Sequence, residues 1–183
     1  MPFLLSLLQR EFGIRGEVGC SIEEFLVEQC GLDREYISER IKTVFLNGKP
    51  VDDVGSAVIG DGDILSLSGA MPGLVGAVMR RGSYYAAFRE SITYHEEKAQ
   101  KRGEGTVRLK LFNLVLSERG ADFLQRGIYI ESDELLKYLS GLPVDFWEGC
   151  RSIALDGEPV SVTDFQKKKS FGTDWTFLRV DVV

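Results

Sequence analysis

The sequence predicts an α+β protein, and three observations carry that prediction. Val44-Phe45-Leu46 runs into Asn47-Gly48, the dipeptide of a tight hairpin turn, because both central residues of such a turn need positive φ. Val107, Leu109 and Leu111 alternate with Arg108 and Lys110, the period of a half-buried strand. Ser21-Ile22-Glu23-Glu24 has the S-x-x-E form of a helix N-terminus, where the serine caps the first turn and the glutamate reaches back to its backbone N–H.

Along the chain, residues 3–8 are apolar enough for a strand or a short helix, and their period does not choose. The capped helix from Ser21 uses Phe25 and Leu26 as apolar contacts and stops at Gly31, which tolerates the left-handed conformation. A second periodic stretch carries Tyr36, Ile37 and Ile41. The Asn47-Gly48 hairpin follows, then a turn at Asp61-Gly62-Asp63 and a strand with Ile64, Leu65 and Leu67. Residues 83–102 predict an amphipathic helix, with Tyr84, Phe88 and Ile92 at four-residue spacing on one face. Gly103 and Gly105 mark its end, and a strand begins at 106 in "TVRLKLFNLVL".

The last third repeats the order of the first. "FLVEQCGL" at 25–32 aligns with "LLKYLSGL" at 135–142, and "LNGKPV" at 46–51 with "LDGEPV" at 155–160. A looser pair is "VIGDGDILSL" at 58–67 with "SFGTDWTFLRV" at 170–180. Order and spacing agree, which points to an internal duplication. The expected division is therefore 1–70, a connector 71–103 with a Gly/Pro loop and amphipathic helix, and 104–183, with one fused sheet as the architectural alternative.

Residues 21–69 resemble the β-grasp fold of ubiquitin-like proteins, in particular the branch of small sulfur carriers and TGS domains. The resemblance rests on the helix from Ser21, on Leu46-Asn47-Gly48-Lys49-Pro50-Val51 and on Asp61-Gly62-Asp63-Ile64-Leu65. It implies two β-grasp-like units, each a mixed sheet packed on a helix. A sulfur carrier ends in Gly-Gly with a free carboxylate that is activated. Here "SGAMPGLVGAVMRRG" follows the last strand without a Gly-Gly pair, and the chain ends in Val182-Val183. The fold resembles a carrier while the chemical handle is missing.

Composition and motifs exclude more than they assign. Acids outnumber bases 28 to 22, for a formal charge of -6, which disfavours broad electrostatic binding to nucleic acid. Cys20, Cys30 and Cys150 form no close motif and read as free thiols of a reducing compartment, so the expected location is cytoplasmic. Three scattered cysteines and one histidine have no zinc spacing, and no membrane segment or cofactor motif is evident. His95 stands beside Glu96-Glu97 with no nucleophile motif near it and reads as a solvated helix residue, so no catalytic residue is assigned. Of the carboxylate pairs, Glu23-Glu24 suits a helix start, while Asp52-Asp53 and Asp61/Asp63 suit turns. Lys167-Lys168-Lys169 reads as a solvated loop.

Two candidate sites remain, and both lie in the connector. Gly73 and Gly76 with Arg80 and Arg81 can offer backbone N–H groups and charge to an anion, although their spacing fits no phosphate-loop motif. The commoner use of such a stretch is a packed connector, with Leu74, Val75, Val78 and Met79 buried and both arginines at the solvent edge. Tyr84, Tyr85 and Phe88 are the candidate partner-binding residues, since tyrosines are enriched at contacts. The leading expectation is a non-catalytic protein-interaction module whose partner is another protein. The alternatives are a sulfur-carrier relative that requires cleavage near Gly76, and a small-molecule or anion binder or enzyme using an inter-domain groove.

Overall fold

The computed structural model describes residues 2–94, 101–140 and 150–182. The chain opens with helix α1 (Pro2–Leu5) and a 3-10 turn (Ser6–Gln9), which resolves the open choice for residues 3–8 in favour of helix. Strands β1 (Phe12–Val18) and β2 (Cys20–Ser21) lead into helices α2 (Ile22–Glu28) and α3 (Arg34–Glu39). The hairpin β3 (Thr43–Leu46) and β4 (Lys49–Pro50) follows, then β5 (Val58–Ile59) and β6 (Ile64–Ser68). Helix α4 (Gly73–Met79) and a 3-10 helix (Tyr84–Ile92) precede the long strand β7 (Gly103–Phe112). The remainder is α5 (Asn113–Arg126), β8 (Ile128–Glu131), α6 (Ser132–Ser140), β9 (Cys150–Leu155), β10 (Glu158–Val160), α7 (Val162–Gln166) and β11 (Trp175–Val182).

Nine of these strands form one mixed sheet in the order β10-β9-β11-β8-β1-β7-β6-β3-β4, and β2 pairs with β5 beside it. Among the described residues only β6 and β7 run parallel; every other pair is antiparallel. The protein is therefore α+β, as the sequence predicts. Strand β7 lies between β1 and β6 and pairs with β1 along seven positions, Phe12 to Val18. Alternation along β7 separates the two faces of the sheet. Val107, Leu109 and Leu111 are fully buried, and Phe12 beside them meets Phe123 of α5 edge-on at 5.6 Å. Arg108 and Lys110 face the other way and share Glu11 at 3.0 Å each.

The cap at Ser21 forms as its motif implies: its hydroxyl accepts from the Glu24 amide at 3.1 Å. The Glu24 carboxylate, however, goes to Arg102 at 2.8 Å, just ahead of β7. Asn47-Gly48 and Asp156-Gly157 both turn with positive φ, 51° and 78° in the first pair and 51° and 90° in the second. Asn47 exchanges bonds with Ile64, its amide donating to the Ile64 carbonyl and its Oδ1 accepting from the Ile64 amide, both at 2.8 Å. Asp156 does the same with Phe177, at 2.8 and 2.9 Å. In each case a two-residue turn is tied to the strand beyond it, β6 or β11.

Several expectations are corrected. The strand expected from 106 begins at Gly103, so Gly103 and Gly105 lie inside β7 rather than at a break. At Gly105 a Cβ would come within 2.8 Å of Val18, so glycine here allows β1 and β7 to approach closely. The strand also ends earlier than the apolar run "NLVL" implied. Asn113 takes φ 50° and turns the chain into α5, a 14-residue helix. Lys167, Lys168 and Lys169 are exposed in the connection between β10 and β11, as expected, with Lys167 at the C-cap of the short helix α7.

Candidate protein-interaction surface

The connector after β6 departs from the usual pattern, with Arg81 and Arg89 turned inward and several large apolar side chains outside. Pro72 sets the extended entry to α4, φ -74° and ψ 163°, without a side-chain cap. Gly76 is buried where a Cβ would fall 2.1 Å from the Met71 carbonyl oxygen, so only glycine lets the helix lie this close to its own entry. After α4 the Arg81 amide donates to the Lys42 carbonyl at 2.9 Å, and its Nη2 donates to the Ile37 carbonyl at 3.0 Å. Ser83 Oγ donates to the Ala77 carbonyl at 2.6 Å, which folds the 3-10 helix back on α4.

Arg89 is the anchor of this arrangement and is only 2% exposed. Its Nε donates to the Val78 carbonyl at 2.7 Å and its Nη1 to Thr93 Oγ1 at 2.9 Å. Its Nη2 forms an ion pair with Asp52 at 2.6 Å. The same Asp52 oxygen accepts from the Gly82 amide at 3.3 Å. Downstream, the Tyr94 amide donates to the Pro50 carbonyl at 2.8 Å. A buried cation is tolerated when it is hydrogen-bonded and paired with an acid, and here one guanidinium ties α4, the 3-10 helix and the loop after β4 together.

The outward side is apolar. Leu74 and Val75 are 71% and 69% exposed, and Tyr84 and Phe88 are 89% and 77% exposed. Tyr85 and Ile92 are exposed beside them. Tyr84 meets Tyr85 edge-on at 5.6 Å, and Tyr85 stacks on Phe88 at 6.2 Å. Tyr84, Tyr85 and Phe88 thus form one exposed aromatic cluster, which a monomer in water does not gain by displaying.

Of the sequence candidates, Tyr84, Tyr85 and Phe88 thus lie together on an open surface. Gly73, Gly76, Arg80 and Arg81 do not converge on one cradle. Gly73 is exposed at the helix start with φ 76°, Gly76 is buried, and Arg80 is exposed. Arg81 is turned inward rather than lying at the solvent edge. Burial pulls its pKa below the usual guanidinium value, against the pull of Asp52, Asp53 and Glu23, and its Nε has no hydrogen-bond partner among the described residues. Leu74 and Val75 also depart from expectation. They face water, 71% and 69% exposed. The expected α-helix over 83–102 is a 3-10 helix over Tyr84–Ile92, and residues 95–100, with His95, lie outside the described residues.

Sequence reasoning did not single out Arg89. The available signal was the absence of any acid between residues 69 and 89, which leaves the arginines to find carboxylates elsewhere, with Asp52-Asp53 just upstream. The other carboxylates serve structure. Asp61 Oδ1 accepts from the Thr106 amide at 2.7 Å, and Asp63 Oδ2 from the Gly60 amide at 2.6 Å. Cys20, Cys30 and Cys150 are free thiols, and burial pushes each thiol pKa upward. Among the described residues no group of three or more metal-ligating side chains converges, and no helix is long and apolar enough to cross a membrane. No protein-family model matches the chain, and neither curated proteins nor solved structures give a match.

Proposed function

We propose that this chain is a non-catalytic protein-interaction module of β-grasp type, and that α4 with the 3-10 helix Tyr84–Ile92 is its docking face. One observation carries the reading: Arg89 is buried and ion-paired while its neighbour Phe88 stands in solvent. A segment held by internal polar bonds keeps its shape without burying its aromatic residues. It therefore presents Leu74, Val75, Tyr84, Tyr85 and Phe88 in a fixed arrangement, and little ordering entropy remains to be lost on binding. Rigid aromatic side chains of this kind dominate the energetics of protein contacts.

The β-grasp reading and the duplication are supported by the matched turns at Asn47-Gly48 and Asp156-Gly157 and by a capped helix preceding the first of them. The two units would differ in how their last strands are flanked, among other respects. β6 has the parallel neighbour β7, whereas β11 lies directly beside the antiparallel β8.

The test is affinity capture with three forms of the full chain: native, Tyr84→Ser/Phe88→Ser, and Lys49→Ser as an exposed control on the hairpin. A partner retained by native protein and the Lys49 variant, and lost from the double variant, is the expected result. Equal retention by all three overturns the reading.

A further inference from the structure

A second, chemically different feature lies between β1 and β8. Strands β1 and β8 pair at a single position, Gly13 with Tyr129, and then diverge. Arg15 stands in the opening, with its guanidinium 3.9 Å from the centre of the Tyr129 ring. Tyr129 packs against Phe177 at 4.9 Å. Gly127 makes room for this pair, since a Cβ there would meet the Phe177 ring at 2.1 Å. Two cavities meet at Arg15 and Tyr129. One, about 220 Å³, is walled by Trp175 and Arg108; the other, about 280 Å³, by Phe177 and Arg126. Each is smaller than the ~300–1,000 Å³ typical of a drug-sized ligand, so each has room for a single ring or one charged group.

One carboxylate, Asp61, lines the smaller cavity, where its Oδ1 accepts from the Thr106 amide, while the larger cavity has two arginines and no acid among its described lining residues. Arg108 is committed to Glu11 and to the Gly62 carbonyl. Among the described residues Arg15 and Arg126 have no hydrogen bond or ion pair, although carboxylates outnumber bases in the chain. A guanidinium stacked flat on an aromatic ring keeps its in-plane N–H donors free for an oxyanion.

We propose that the β1–β8 cleft binds a small planar aromatic anion. Its ring lies against Trp175 in the smaller cavity, and its negative group lies between Arg15 and Arg126 in the larger one. A nucleoside monophosphate and a simple aromatic carboxylate share this chemistry. A nucleic acid polymer is disfavoured, because its many phosphates would meet a chain of net charge -6.

Isothermal titration of the full chain with AMP, UMP, benzoate, adenosine, uridine and inorganic phosphate tests this. The expected result is binding of the monophosphates or of benzoate, with the uncharged nucleosides and phosphate alone at least about tenfold weaker. Binding of the monophosphates alone assigns the nucleotide source, and binding of benzoate alone the carboxylate source. Arg15→Gln and Arg126→Gln each weaken the bound probe about tenfold or more, while Arg80→Gln, on the other site, leaves it unchanged. These positions are exposed, so the variants fold, which a thermal melt verifies. No binding by any probe at millimolar concentration overturns the proposal. So does binding that Arg15→Gln and Arg126→Gln leave unaltered.

Discussion

Arg89 and Phe88 are adjacent in the chain and face opposite ways, the arginine buried against Asp52 and the phenylalanine standing in water. Reversing them would place an aromatic ring inside and a charge outside, the arrangement most helices adopt. The observed order makes sense if the anchor of this segment is polar and its apolar side is kept for another molecule.

The first prediction concerns that anchor. Asp52→Ala leaves the Arg89 guanidinium short of its carboxylate and removes the acceptor for the Gly82 amide. Because Asp52 is partly exposed, water replaces some of the lost interaction, and the cost is about 1–3 kcal/mol in urea unfolding. Amide exchange at Arg81, Gly82 and Tyr94 should accelerate more than exchange in β3. Unchanged exchange at those three amides would show that the ion pair does not hold the segment.

The outward residues should behave in the opposite way. Tyr84→Ser and Phe88→Ser remove side chains that make little contact with the protein, so stability should change by no more than about 0.5 kcal/mol. Binding of a dye specific for exposed apolar surface should fall. A loss of several kcal/mol would mean that these rings are packed in solution.

The paired turns offer a test by symmetry. Gly48 and Gly157 both hold positive φ, and a Cβ at either position meets nothing within 4 Å. Valine at either site therefore acts through backbone strain alone, and each variant should lose about 1–3 kcal/mol, by similar amounts. A large cost at one turn and none at the other would separate the two hairpins energetically.

Tyrosine ionisation gives a pH signature. The Tyr36 hydroxyl is pushed up to about 12, first by burial and then by donating to Glu118 at 2.9 Å. Its folded pKa is raised, so the unfolded chain releases this proton first. The Tyr36 contribution is fully present below about pH 10 and is lost as pH rises through about 12. In an ultraviolet titration of the native protein, Tyr36→Phe should remove a late step and leave the early ones intact. Removal of an early step instead would place Tyr36 in water.

What was legible in the sequence was local. The Asn47-Gly48 turn, the Ser21 cap and the alternation in β7 each depend on residues a few positions apart, and each has the expected local structure. Strand β1 was not legible, because "FGIRGEV" holds two glycines and two charges that dilute the strand signal. It exists because it pairs with β7, about ninety residues downstream, from Phe12 with Leu109 to Val18 with Gly103. The inward turn of Arg81 and Arg89 was hidden for the same reason. Their acceptors, Ile37, Lys42 and Asp52, lie 37 to 44 residues upstream, and composition alone assigns arginine to solvent. The exposure of Tyr84, Tyr85 and Phe88 follows from that burial.

The central claim, a protein-docking face on α4 and the 3-10 helix, is tested most directly by site-specific photo-cross-linking in the native cell. A benzophenone amino acid at position 88 is compared with the same group at position 158, exposed on β10 at the far edge of the sheet. A discrete protein adduct from position 88, absent from position 158 and competed away by unlabelled native protein but not by its Tyr84→Ser/Phe88→Ser variant, is the expected result. No adduct at position 88, or the same adducts from both positions, would contradict it.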